Sequence, residues 1–481
     1  MSHIFARAQE LKLLEQLYNS GQPEFLAVYG RRRVGKTFLI REFFKNKGTY
    51  FALTGIKGAS TRKQLKNFVV ELSRVFGLPA DYEPPKDWFE AFSHLRQAIE
   101  KMKGKERMIL FFDELPWLAT PRSGFLQDLD HLWNRYLSDD KRVILIVCGS
   151  AASWMIRKIV RNKGGLYGRL TAQIRLLPFN LKETEEFLRR QGITLNQKGI
   201  VDIYMAIGGV PKYLSYIQKG QSALQIVGQL CFGGPLSDEF DELYASLFEL
   251  HHRHVSIIKS LSEHPGGLTK SQIVKATSLS AGGGMNLVLE ELEQSGFILK
   301  IQEFGKQKKD CRFKLIDEYS LFYLKWSQKA KDSLSSRDER FWISIFNSAA
   351  GQSWAGYAFE VICLKHLHSL KAALGIAGII TTASSWIYKP PKKSKIRGAQ
   401  IDLLIDRADN CINLCEIKYC NHEFIIDKAY DKDLREKKSV FQSQTQTKKT
   451  IFLTLISPYG VKKNAGHFET IDVSLTLDAL F

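Results

Sequence analysis

The tightest constraint on this chain lies at residues 25–44. An apolar run of β-forming character, Phe25 to Tyr29, ends at Gly30. After Arg31, Arg32, Arg33 and Val34 come Gly35, Lys36 and Thr37, and then Phe38, Leu39, Phe43 and Phe44 recur at helical spacing. This is G-x-x-x-x-G-K-T in the strand-to-helix setting that it requires. The glycines permit dihedrals and close approaches that a Cβ would block. Successive backbone N–H groups can therefore wrap a phosphate at the positive end of a helix. Lys36 is placed to reach the β- and γ-phosphates of ATP and the Thr37 hydroxyl to ligate Mg2+. The competing reading is a loop that binds phosphate without hydrolysis.

A second apolar run, Met108 to Phe112, ends in Asp113 and Glu114. Such a strand is expected beside the Phe25 strand in a parallel sheet, its carboxyl end facing the phosphates. There Asp113 can hold Mg2+ through its water shell, and Glu114 can orient and deprotonate the attacking water. Acids after a strand also cap helices, but a position downstream of a phosphate loop favours the catalytic role. The next strand, from Arg142, closes with Gly149 and Ser150. Ser150 either touches the γ-phosphate and the lytic water or caps the following helix. Arg169 stands between a glycine-rich turn at 164–168 and a β-type run at 173–177. It can lend positive charge to the transferring phosphoryl group, within one chain or between copies, or be a plain surface arginine.

Residues 180–233 read as a small helical lid interrupted by Gly208, Gly209, Val210, Pro211, Lys212 and Tyr213. Taken in order, the phosphate loop, Asp113-Glu114-Leu115-Pro116-Trp117, Gly149-Ser150, Leu166-Tyr167-Gly168-Arg169 and this Gly-Gly-Val-Pro element resemble the archaeal-type, AAA-like ATPases. The resemblance covers residues 1 to about 235. It implies that Gly-Gly-x-Pro lies over the nucleotide, with Pro211 near the adenine. The family's N-terminal Phe-x-Arg-x-x-Glu-Leu signature usually has glycine before the arginine, and here Ala6 precedes Arg7.

Helical patterns at Phe240 to Leu261, Lys270 to Ala276 and Gly283 to Ser295, then β-type runs flanking Gly305, suggest a winged helix-turn-helix. Its basic wing either contacts phosphates or docks on its own protein. Farther on, Glu360 sits in a helical stretch from Trp354, and Asp402 lies on an alternating strand before a turn at 406–410. Glu416 and Lys418 are two apart on the next strand and so share one face. Two carboxylates and a lysine on one sheet face are costly to bury unless they hold a metal and activate water. This is the D-(x13)-E-x-K arrangement of PD-(D/E)XK nucleases. Asp402 and Glu416 are then the Mg2+ ligands, Lys418 positions the water, and Glu360 matches the acid that such folds often carry on the preceding helix. Lys395 and Arg397 are candidates for the nucleic-acid backbone.

The expected architecture is α/β. A P-loop NTPase core spans 1–179, a helical lid 180–238, a winged helix 239–325 and a C-terminal α/β PD-(D/E)XK-like domain 326–481. Across 481 residues the formal charge is +19, which favours an anionic partner: nucleic acid, or an acidic membrane surface. Seven scattered cysteines do not form a disulfide framework, and no run of about 20 apolar residues occurs, so a cytoplasmic protein is expected. The functional expectation is an ATP-hydrolysing switch controlling a nuclease-like half. The alternative is a regulatory ATPase whose C-terminal half only binds DNA or a protein partner. Either fits a homo-oligomer.

Overall fold

The computed structural model describes residues 4–77, 79, 83–160, 168–248, 250–306, 310–331, 340–391, 397–462 and 468–481. The chain divides into two compact units, Met1–Pro178 with Ser246–Phe248, and Phe179–Ala245 with Glu249–Phe481.

In the first unit, β1 (Glu24–Tyr29), β2 (Thr49–Thr54), β3 (Met108–Asp113), β4 (Val143–Gly149) and β5 (Ala172–Arg175) form one sheet. Its order is β2-β3-β4-β1-β5, and every neighbouring pair is parallel. The expectation that the Asp113 strand borders the Phe25 strand is corrected here, because β4 lies between them. Each of these strands is an apolar run able to sit in a sheet centre, so no local signal chooses its neighbours. The connections choose them. The chain moves outward through the helices Lys36–Phe44, Thr61–Phe76 and Trp88–Lys101 before β4 returns to the gap beside β1. Both faces of the sheet are buried, which accounts for the continuous rather than alternating apolar runs. Phe25, Ala27 and Tyr29 pack into one core with Phe112 and Val147, while Leu26 and Val28 pack into a second with Phe111 and Ile146.

The second unit begins with the helices Leu181–Arg190, Gln197–Ile207 and Ala223–Cys231. The continuous helix expected from Phe240 to Leu261 is two, Glu239–Leu247 and His251–Ser262, because Leu250 at φ −102° and ψ 50° has left the helical region. The helices Lys270–Thr277 and Gly283–Gln294 follow, with a sheet of β6 (Leu268–Thr269), β7 (Ile298–Ile301) and β8 (Arg312–Leu315) in the order β6-β8-β7. The expected helix around Glu360 starts earlier, at Ala349, where the Ser348 hydroxyl accepts from the Gly351 amide.

The last sheet contains β9 (Thr381–Tyr388), β10 (Ala399–Arg407), β11 (Cys411–Ile417), β12 (Thr450–Ile456) and β13 (Val473–Leu475), in the order β13-β12-β11-β10-β9. The β9, β10 and β11 pairings are antiparallel and the other two parallel. The helix Lys428–Thr445 connects β11 to β12 and buries Leu434 and Phe441 against Leu404, Ile412 and Leu414. No helix among the described residues is long and apolar enough to cross a membrane.

The segment after β7 does more than turn. Phe304 N donates to Ser385 O at 2.8 Å and Ser385 N to Gln302 O at 3.2 Å, so Gln302–Phe304 pairs with the edge strand β9. The Phe304 ring lies 5.5 Å from that of Phe441, at the rim of the same core. Of the expected basic wing, 307–309 lie outside the described residues, and Lys306 is paired with Glu303.

His366, at the end of the Glu360 helix, is locked as a neutral ring. Its Nε2 accepts from Leu181 N at 3.0 Å, which leaves Nδ1–H to donate to Ile362 O at 2.8 Å. Burial, with adjacent Lys365, lowers its pKa from 6.5 to about 4. The unfolded chain therefore takes up this proton first on acidification. The stability due to neutral His366 is complete above pH 6.5 and is lost as pH falls toward 4. The full loss is on the order of 3 kcal/mol. The stability difference between wild type and His366→Asn, followed by thermal melts, is expected to shrink over that interval.

Candidate functional site

The loop between β1 and the helix Lys36–Phe44 takes its shape from two glycines. A Cβ at Gly30 would lie 2.1 Å from Leu176 O, so only glycine allows the loop to pass the segment leaving β5. Gly35, at φ 92°, sits in the left-handed region as the helix N-cap. Lys36 is buried and folds back over the loop, its Nζ donating to Gly30 O at 2.9 Å, Arg31 O at 3.0 Å and Ser150 Oγ at 3.0 Å. Thr37 Oγ1 donates to Asp113 Oδ2 at 2.7 Å.

Because β4 separates β1 from β3, Ser150 at its end stands between the lysine and the glutamate. Ser150 Oγ donates to Glu114 Oε1 at 2.8 Å, and its amide reaches Oε2 at 3.4 Å. Lys36, Ser150 and Glu114 thus form one hydrogen-bonded chain across three strand ends. Glu114 is held at φ 48°, a strained position for a residue with a Cβ, and its amide donates to Asp113 Oδ1 at 2.9 Å. Asp113 is buried and Arg31 is buried, while Arg32 is exposed and Val34 is buried. Arg33, half-buried, takes a left-handed φ of 71°.

Arg7 has a clear task in this unit. It is buried, and its guanidinium donates to Val34 O at 3.2 Å and Leu177 O at 2.7 Å, tying the loop to the chain after β5. Ala6 adopts φ 58°, the region that glycine enters without strain, a physical reason for the glycine usual in the resembling signature. Arg169 is exposed, and 161–167 of its turn lie outside the described residues. Pro211 starts the short helix Pro211–Leu214 in the second unit, after Gly209, whose backbone passes so close to Phe179 that a Cβ would meet its carbonyl oxygen at 1.9 Å.

Mg2+ fits the first unit's strand ends. Thr37 and Asp113 present hard oxygen donors already in contact, the donor set that Mg2+ shares with substrate phosphates.

In the second unit the antiparallel register sets Leu403 opposite Cys415, and its continuation brings Asp402 level with Glu416. Glu416 is held by three groups. Lys418 Nζ lies 2.9 Å from Oε1, Lys437 Nζ lies 3.2 Å from each oxygen, and the Tyr430 hydroxyl donates at 2.8 Å. Burial opposes its charge, but Lys418 and Lys437 prevail and hold its pKa below the ordinary carboxylate value. Asp402 accepts from Gln400 Nε2 at 2.6 Å. Glu360 meets Lys314 Nζ at 3.4 Å, and burial, with the Asp402 charge, pushes its carboxyl up to about 7. Lys395 lies outside the described residues, and Arg397 pairs with Asp433 at 3.0 Å.

Lys314, Gln400, Tyr430 and Lys437 were not singled out by the sequence reading. Tyr430 and Lys437 are seven apart on a helix and so share a face, a signal that was present. Nothing in local spacing marks Lys314, which arrives from a different sheet. Among the described residues no group of three His, Cys, Asp or Glu side chains could hold a metal ion.

Fold and site define the first unit as a P-loop nucleotide-binding domain, and residues 4–217 match a family described as an ATPase domain predominantly from Archaea. An uncharacterized protein of Methanocaldococcus jannaschii is 29% identical over 212 residues, 44% of this chain and 43% of that protein. The chain therefore matches less than half the length of that relative. An uncharacterized ATP-binding protein of the same organism is 49% identical over 41 residues, 8% of this chain and 70% of that protein. Among solved structures, the Walker-type ATPase PABY2304 of Pyrococcus abyssi aligns with a TM-score of 0.48 at 20% identity, covering 67% of this chain and 96% of that one. The ORC2 protein of Aeropyrum pernix, in ADPNP and ADP complexes, aligns with a TM-score of 0.41 at 14% identity, covering 69% of this chain and 96% of that one.

Proposed function

We propose that this protein is an ATP-hydrolysing switch whose second unit carries a nuclease-like site acting on nucleic acid. The observation that carries the ATPase reading is the chain Lys36–Ser150–Glu114 beside the Thr37–Asp113 pair. The residue 30–37 loop binds the phosphates, and Lys36 exchanges its carbonyl and hydroxyl partners for phosphate oxygens. Thr37 and Asp113 hold Mg2+, which neutralises phosphate charge when bound. Glu114 takes the proton of the attacking water, and Ser150, which touches both Lys36 and Glu114, links occupancy of the loop to the position of the base. Arg169 and Pro211 are assigned to the transferring phosphoryl group and the adenine on the family resemblance.

For the second unit, the order helix, three antiparallel strands, helix, strand, with Glu360, Asp402, Glu416 and Lys418 along it, supports a PD-(D/E)XK-like reading. The preceding three helices and small sheet fit a winged helix-turn-helix, and the +19 charge supports an anionic partner. A second reading, binding without cleavage, is favoured by the lysine pairing of Glu360 and Glu416.

The test is cleavage of plasmid, single-stranded DNA and RNA with Mg2+ or Mn2+, with and without ATP. Cleavage by wild type that falls by about 10²-fold or more in Asp402→Ala and Lys418→Ala supports the nuclease. Salt-sensitive binding with no cleavage under any condition supports the binding module.

A further inference from the structure

The acids of the last sheet meet lysines from three separate elements. Lys418 follows β11, Lys437 lies on the helix Lys428–Thr445, and Lys314 comes from β8 of the small sheet. Lys314 is the unusual one. It is only 5% exposed, a depth at which lysine is rarely found unless paired. Its Nζ lies 3.4 Å from Glu360 Oε2 and 4.9 Å from the centre of the Tyr357 ring. Lys314 and Arg312 line a cleft of about 340 Å3, partly open to solvent, together with Gln400 and Asp402. The strand that delivers the ammonium is fixed there, because Gln302–Phe304, between β7 and β8, is hydrogen-bonded to β9 and Phe304 packs beside Phe441.

We propose that the Lys314 ammonium occupies the place of a divalent cation at Glu360 and Asp402, so that this site takes Mg2+ or Mn2+ only when Lys314 is withdrawn. The proposal rests on the nuclease-like reading of the second unit. A hard divalent cation needs several oxygen donors at once. An ammonium seated on one of them both consumes a ligand and repels the incoming charge. The lack of any three-acid metal group among the described residues fits a site already satisfied by protein cations. The elevated pKa of Glu360 agrees with two acids near one another in a buried setting. Withdrawal requires movement of β8 relative to β9 and β10, which makes the small sheet a gate on the acids.

The test is a Mn2+ titration of the nucleotide-free full chain, with free Mn2+ followed by electron paramagnetic resonance. Wild type, Lys314→Met, Lys314→Gln and Lys314→Met/Asp402→Asn are compared, with thermal midpoints confirming that each is folded. The expected result is a gain of roughly tenfold or more in Mn2+ affinity in Lys314→Met or Lys314→Gln, the scale of coupling between close charges. That gain is expected to vanish when Asp402→Asn is added. Wild type binding Mn2+ through Asp402 as tightly as Lys314→Met would overturn the proposal and leave the nuclease-like reading standing. No gain in either folded lysine variant would overturn it as well.

Discussion

Replacing Lys36 with alanine is expected to lower ATP affinity by about 10²-fold, since a hydrogen bond to a charged group contributes roughly 1.5–3 kcal/mol. The ammonium has three protein acceptors within 3.0 Å. It is therefore pre-positioned in the loop, with none of its carbon stem left to search for the phosphate. The same burial adds a structural cost, because Gly30 O and Arg31 O lose their donor. Arginine is not expected to rescue the site, since its fork is too large for a position 5% exposed. Titration with a fluorescent ATP analogue, beside circular dichroism to establish the fold, separates lost binding from lost structure.

The second large effect is expected at Glu114. Changing it to glutamine keeps the size and one hydrogen-bond acceptor but removes the base, so hydrolysis is expected to fall by about 10²–10⁴-fold, the usual contribution of a general base. ATP binding is expected to persist, because the loop, Lys36 and Thr37 are untouched. Ser150 can still donate its hydroxyl hydrogen to the glutamine carbonyl, so the 2.8 Å contact with Glu114 has an isosteric replacement. Phosphate release at saturating Mg2+ and ATP measures the change. Undiminished turnover would remove Glu114 from the role of base.

Much of the first site was legible because its chemistry is local. The strand, glycine loop and helix around Lys36 occupy one continuous stretch, and Asp113 and Glu114 end an apolar run. What local pattern does not encode is strand order. The interposition of β4 is a property of the connections, and it turns Ser150 from a neighbour of the nucleotide into the bridge between Lys36 and Glu114. In the second unit the alternation of β10 and β11 carried Asp402 and Glu416 to one level. The edge strand β9 was harder to see. Its Ser384, Ser385 and two threonines interrupt the apolar pattern, since one flank pairs with Gln302–Phe304 and the strand need not be uniformly greasy. Lys314 is separated from Glu360 by 46 positions, and no spacing rule spans that distance. The break at Leu250 and the left-handed Ala6 are backbone events set by packing rather than by composition.

The central claim is that the 30–37 loop holds ATP for hydrolysis by Glu114. Its most direct test follows bound nucleotide and released phosphate in one sample of the wild-type chain with Mg2+ and ATP, beside Glu114→Gln. The account predicts equal occupancy in both, with ATP converted to ADP and phosphate only in wild type. Bound ATP that stays intact in wild type, or equal conversion in the two, would contradict it.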